Sequence, residues 1–283
     1  MVYSIGSKKL NCIRKVLENT VNEVWVAQDI SREGNKEYYT LLIIRQHETA
    51  KTLMEIWEEG SKSGRSSRAQ MAAQEDEFCI IYPYRKERPL EKFYNGAICT
   101  GEECERICMN LIAECISCGE AWPVLYLMLC QNQVHLEKDN SVSLSYFLEL
   151  SALTKDADER ACTMKCADMI LKIMRQNKAM EKTVGMKLLE KKLLKEGYST
   201  MTELFRDVHM DAGSWEKVKL QDRIKDFLIV RKERILRVLL VLSVILGIIA
   251  LLMLLSQMIF GDIPFLRIFT NSFETIGNES LLN

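Results

Sequence analysis

Between Val238 and Phe260 the chain carries 23 residues without a charge, VLLVLSVILGIIALLMLLSQMIF. At about 1.5 Å per residue a helix of that length spans roughly 34 Å, slightly more than a hydrocarbon core of about 30 Å. A helix this long in a soluble core keeps one polar side, whereas the polar residues here are only Ser243, Gly247, Ser256 and Gln257. The segment is therefore expected to cross a lipid bilayer once. Lys217, Lys219, Arg223, Lys225, Arg231, Lys232, Arg234 and Arg237 precede it, and only Arg267 follows. Positive residues resist translocation, so the N-terminal side is expected in the cytoplasm and the tail outside. The same cations suit anionic headgroups. No Gly or Pro separates Trp215 from Gly247, so the span is expected to continue a helix rising from the preceding domain. Beyond it, Phe265, Phe269 and Phe273 recur every four residues, as in a short interfacial helix, and Asn278-Glu279-Ser280 fits a glycosylation sequon.

Without the apolar run about 230 residues remain, enough for one large domain or two small lobes. The start, MVYSIGSKKLNCIRK, lacks the apolar stretch of a signal peptide. A formal net charge of −1 leaves no global basic field, and no nucleic-acid partner is expected. Cys104, Cys108, Cys115 and Cys118 share one helical side with Leu111. The outer two would lie about 21 Å apart along such a helix, too far to meet at one tetrahedral zinc. Cys115-x-x-Cys118 lacks the strand-turn context of a redox pair. These thiols are read as small hydrophobes packed in a reducing compartment.

The first part of the chain reads as strands. Asn11–Leu17, Val24–Asp29 and Glu37–Arg45 are rich in β-branched and aromatic residues, with a polar turn at Arg32-Glu33-Gly34-Asn35. Thr49–Glu59 reads as a helix with Leu53, Ile56 and Trp57 on one side, Gly60–Arg68 as a loop, and Glu77–Tyr84 as a buried strand. Helices are expected over Glu102–Cys118, Asp158–Arg175, Lys182–Glu196 and Met201–Val208, with a hairpin in Leu136–Phe147 turning at Asp139-Asn140. The expected fold class is α+β and two-lobed. Residues 1–88 form a small β-rich lobe, 89–213 a helical lobe, 214–237 a juxtamembrane helix, 238–260 the membrane span and 261–283 a short extracytoplasmic tail.

That order resembles a protein kinase. Val24-Trp25-Val26-Ala27 is similar to the second kinase strand, and Tyr39–Arg45 to the third. Phe78–Tyr94 resembles the hinge and the helix after it, and Leu125–Phe147 the stretch from the catalytic loop to the metal-binding motif. Gly197-Tyr198-Ser199 with Glu203-Leu204 and Asp207-Val208 resembles the final helix of the large lobe. Phosphoryl transfer needs phosphate-binding backbone, a Lys on the phosphates, Mg²⁺ ligands and a catalytic Asp. On this resemblance the phosphate-loop glycines fall near Leu17, Asn19 and Asn22, and the strand Lys on or near Ile43, with Arg45 the nearest cation. The His-Arg-Asp positions fall on Leu125-Tyr126-Leu127, and the Lys after them on Leu129. Asn132 alone matches a metal ligand, while the Asp-Phe-Gly motif falls on Ser145 or Tyr146 and Phe147. Glu55 matches the helix Glu, without its lysine partner. The resemblance thus implies a pseudokinase, with no catalytic residue, no cofactor and no metal. His47, His135 and His209 are isolated, and no other catalytic pattern occurs.

A kinase-like cytoplasmic domain joined to one C-terminal membrane helix resembles the EssB/YukC family of bacterial type VII secretion. That family carries a folded extracytoplasmic domain where this chain has about 20 residues. The resemblance implies a non-catalytic scaffold or assembly component that binds other membrane-complex subunits or itself. The alternatives are an atypical membrane kinase using Arg45 and Asn132, or a single-pass signal relay. Candidate interaction residues are Phe227, in the apolar set Val218, Phe227, Leu228, Ile229 and Val230, and the small pair Ser243 and Gly247.

Overall fold

The computed structural model describes residues 1–31, 37–67, 69–74, 77–84, 88–90, 100–137, 139–177, 180, 183–210 and 220–260. The turn at 32–35, the segment 91–99, residues 214–219 and the tail with Phe265, Phe269, Phe273 and Asn278 lie outside these ranges. Two compact units divide the chain, 1–223 and 224–283.

The first unit opens with strands β1 (Val2–Ile5), β2 (Lys8–Glu18), β3 (Asn22–Asp29) and β4 (Tyr38–Ile44), followed by helix α1 (His47–Lys62) and strands β5 (Gln70–Gln74) and β6 (Glu77–Pro83). They pair antiparallel in the order β1-β2-β3-β4-β6-β5. The sheet coils far enough that β1 approaches β5. Both of its sides are therefore covered, which is why β4 reads as one apolar run instead of alternating. Leu41 and Ile43 face a core with Tyr3, Ile5, Leu10 and Ile81. Leu42 and Ile44 face the other way, towards Leu53, Ile56 and Trp57 of α1.

The rest of this unit comprises β7 (Arg88–Pro89), α2 (Gly101–Ser117), α3 (Trp122–Cys130), the hairpin β8 (Val134–Leu136) and β9 (Val142–Leu144), a 3₁₀ turn (Leu150–Ala152), α4 (Glu159–Arg175), α5 (Val184–Leu194) and α6 (Met201–His209). Thr100 and Glu103 form a reciprocal cap at the start of α2, and Asp158 caps α4. Cys104, Cys108 and Cys115 are fully buried with Leu111, in one core with Cys166 of α4. The cysteine row is core, as its spacing implies; Cys118 is half-buried at the helix end.

The strand and helix expectations agree with this mixed α+β unit, with three differences. The loop expected from Gly60 starts later, because α1 runs on to Lys62. A Cβ on Gly60 would lie 2.9 Å from the Ala121 Cβ, so this last turn packs directly against the start of α3. Strand β5 carries no warning in sequence, QMAAQ being free of β-branched residues, whereas β1 is an additional short strand whose hairpin to β2 turns at Gly6-Ser7. The stretch similar to a catalytic loop, around Leu125-Tyr126-Leu127, is not a loop at all but helix α3, with Leu125, Leu127 and Leu129 buried.

The second unit contains most of one unbroken helix, α7 (Leu220–Phe260), of 41 residues. Among the described residues it is the one helix long and apolar enough to cross a membrane. The apolar window runs Ile235–Leu255, about one turn earlier than the uncharged run, and none of it is buried. The helix is thus continuous from Leu220 through the apolar window.

Candidate functional site

The residues that would hold a nucleotide in a kinase come from the β2–β3 turn, β4, α1, the α3–β8 turn and the segment after β9. The β2–β3 turn closes without glycine because the Asn19 Oδ1 accepts from the backbone N–H groups of Val21 (2.8 Å) and Asn22 (2.7 Å). Leu17 packs against the core beside it. Asn22 is fully buried. Its amide donates to the Leu148 carbonyl (2.8 Å) and accepts from the Leu150 N–H (2.9 Å). From the opposite side, Gln131 at the end of α3 donates to the Glu149 carbonyl (2.8 Å) and accepts from the Glu149 N–H (2.9 Å). Successive residues of an extended segment present their backbone groups to opposite sides. Two side-chain amides thus grip alternate residues of Leu148–Leu150, one from the sheet and one from the helical half.

The remaining candidate positions are scattered or occupied. Ile43 is buried inside the coiled sheet. Arg45 pairs with the buried Glu23 and lies 3.8 Å from Glu77, which accepts from the Tyr3 hydroxyl. Burial works against the Glu23 charge, but Trp25, Lys15 and Arg45 together hold its carboxyl below the usual range. Glu55 pairs with Lys155 on the outside of the unit. Asn132 sits exposed in the α3–β8 turn with φ +53°. Ser145 donates its N–H to the Gln133 carbonyl, and the Phe147 ring lies 6.2 Å from that of Tyr84. Of the two groups an atypical kinase would use, Arg45 is thus engaged by Glu23 and Glu77, and Asn132 stands in an exposed turn. His47, His135 and His209 stand on α1, β8 and α6, and no cluster able to hold a metal occurs among the described residues.

A second polar centre, with no local sequence signal, lies beside the amide grip. Glu120 is fully buried between α2 and α3 and accepts from the Ser67 hydroxyl (2.8 Å) and the Tyr146 hydroxyl (3.2 Å). Burial raises its pKa; Ser67, Tyr146, the Trp57 indole and Arg65 oppose the rise without cancelling it. The Trp57 N–H and the second Glu120 oxygen form no hydrogen bond of ordinary geometry. Arg65 donates to the Glu120 and Cys115 carbonyls and stacks 3.7 Å from the centre of the Trp122 ring. Gly119 supplies the turn, at φ +75°. The Tyr146 ring lies flat on Tyr82, 3.6 Å between centres and 9° from parallel. This centre ties β6, α1 and the α1–β5 loop to the α2–α3 corner and the segment after β9.

On α7 the candidate interaction residues divide. Ser243 and Gly247 fall on one side, about 40° and 6 Å apart, and a Cβ on Gly247 would meet nothing within 4 Å. Position 227 lies 20 residues before Gly247, a rotation of about 200°, so it occupies the opposite side of the helix. A single partner helix packed on the small residues does not meet position 227.

No family model matches the chain, and no curated protein matches it.

Proposed function

We propose that the chain is a membrane-anchored pseudokinase. It acts as a non-catalytic scaffold or assembly component of a membrane complex of the type VII secretion kind, with its domain on the cytoplasmic side and its tail outside. The observation that carries this reading is the grip of Asn22 and Gln131 on Leu148–Leu150. It joins the turn that resembles a phosphate loop directly to the segment after the metal-motif position, and the chain's own backbone takes up the donors and acceptors there. Further support comes from order: β4, similar to the third kinase strand, leads straight into α1, and the hairpin β8–β9 follows α3. Leu125, Leu127 and Leu129 are buried in helix α3 and present no proton acceptor to a substrate, and Arg45 is already paired with Glu23. Orientation rests on the eight cations before the span against one after it. A fold without its chemistry acts through its surfaces, so the partners are other subunits or further copies of the chain, met through α7 at Ser243 and Gly247 and, on the other side, at Phe227.

Thermal denaturation of the full chain in mild detergent tests the non-catalytic part. Saturable binding at a hundredfold excess over Kd raises stability by about 2.7 kcal/mol. Mg-ATP is expected to leave the midpoint unchanged, and a metal-dependent rise lost in Asn132→Ala would overturn the reading. Blue-native electrophoresis tests assembly: wild type running as a lone monomer, or unchanged by both Gly247→Leu and Phe227→Asp, would sink the scaffold role.

A further inference from the structure

Arg231, Arg234 and Arg237 stand at every third position of one unbroken helix. At roughly 100° and 1.5 Å per residue they occupy an arc of about 120° and about 9 Å of axial rise, forming a slanting row on one side. The apolar window begins at Ile235, so the row straddles its edge, with Arg237 already inside. Around Arg237, the side chains of Leu236, Val238 and Val241 are all more than half exposed. An arginine at the edge of such a segment can lay its long stem along apolar surface while the guanidinium stays at the interface.

The small-residue side leaves this row to lipid, and a partner met at position 227, on the row's own side but about 6 Å before Arg231, lies further from the apolar window than the row does. In 231–237 four cations face one acid, Glu233, which lies about 40° beyond the Arg237 end of the arc. The side bearing Ser243 and Gly247 is centred about 160° from the middle of the row. A helix packed on those small residues therefore covers the side of α7 opposite positions 231, 234 and 237.

We propose that Arg231, Arg234 and Arg237 bind the phosphates of anionic phospholipids in the leaflet at the N-terminal end of the span. Guanidinium is planar and takes two phosphate oxygens at once, and it keeps its charge at an apolar boundary. Lipid, rather than free phosphate, is the source because Arg237 lies within the apolar window, where the phosphates on offer belong to headgroups. The inference rests on α7 crossing a bilayer.

The test uses the full chain purified in mild detergent, mixed with phosphatidylglycerol and phosphatidylcholine, with bound lipids counted by native mass spectrometry. Wild type is expected to retain phosphatidylglycerol selectively. Each arginine changed to Gln should lower that preference about fivefold, the factor equivalent to about 1 kcal/mol per cation at an anionic surface. Arg223→Gln, two turns before the row, should leave it intact. Equal retention of both lipids by wild type, or selectivity surviving in the triple variant, would overturn the proposal. So would displacement of phosphatidylglycerol by an equal concentration of inorganic phosphate. If the triple variant fails to insert, Arg234→Gln alone carries the comparison. Extraction of wild type from membranes by alkaline carbonate would instead refute the span itself, separating that failure from a failure of lipid selectivity.

Discussion

Replacing Asn22 by Ala should be among the most damaging single changes in the β-rich half, and the structure gives the size of the effect. The substitution removes a donor to the Leu148 carbonyl and an acceptor for the Leu150 N–H. Leu148 and Leu150 are only 1% and 3% exposed, so water cannot take over either group. A buried polar group left unsatisfied costs about 1–3 kcal/mol, so two cost about 2–6 kcal/mol, a large part of the roughly 5–15 kcal/mol that holds a domain folded. Gln131→Ala removes the same number of hydrogen bonds, but its partner Glu149 is exposed, and water can replace them for less than about 1 kcal/mol. Urea denaturation of the full chain in mild detergent, followed by tryptophan fluorescence, should show the contrast. With a slope of about 2 kcal/mol per M, the middle of the usual range, Asn22→Ala should lower the midpoint by about 1–3 M and Gln131→Ala by a fraction of that. Equal shifts would refute the argument, because burial of the stranded groups is the only difference it invokes. Hydrogen exchange adds a local check, since the Leu150 amide should lose protection in Asn22→Ala before the amides of α3 do.

Three further outcomes follow from other parts of the molecule. Burial holds the Glu120 pKa above that of the unfolded chain, so the folded state binds the proton more tightly; its contribution is full below the unfolded pKa and is lost as pH rises through the folded value. Glu120→Gln should remove this fall in a series of melting curves, and an unchanged pH slope would show that the carboxyl is not its source. Gly60→Ala places a Cβ 2.9 Å from the Ala121 Cβ and 3.0 Å from the Arg65 carbonyl, and despite a better helix former it should destabilise by about 1–3 kcal/mol in chemical denaturation. An impermeant thiol reagent should label Ser280→Cys on intact cells above the wild-type background, whereas labelling only after permeabilisation would reverse the proposed orientation.

The sequence disclosed those elements whose signal is local. The apolar run marks α7, and the 3.6-residue period of Leu53, Ile56 and Trp57 marks α1. The same methods miss α3, because WPVLYLMLC is apolar all round and buried helices without a polar side show no period. They also miss the amide grip, since Asn22 lies 126 residues from Leu148 and no feature near either announces the other. Glu120 is equally silent: Arg65 and Ser67, which hold it, precede it by 55 and 53 residues. The division on α7 is a different case. The angle between positions 227 and 247 is simple arithmetic, but it means something only once the helix is known to be unbroken between them.

Two of the buried polar residues, Asn22 and Glu120, lie where the sheet and α1 meet the helices. With the half-buried Arg65 and Ser67 they form hydrogen bonds across that junction. Apolar contact alone would let these halves slide, because dispersion and hydrophobic burial have little directional preference. Hydrogen bonds to buried groups do have direction, and losing one strands a group out of reach of water. The Asn22 amide bonds across the junction therefore define one relative position of the halves and penalise others. In an enzyme that must open to exchange substrate, such a fixed junction would slow turnover. In a scaffold it keeps the surfaces of both halves in constant register, so a partner that binds across them need not supply the free energy to order them.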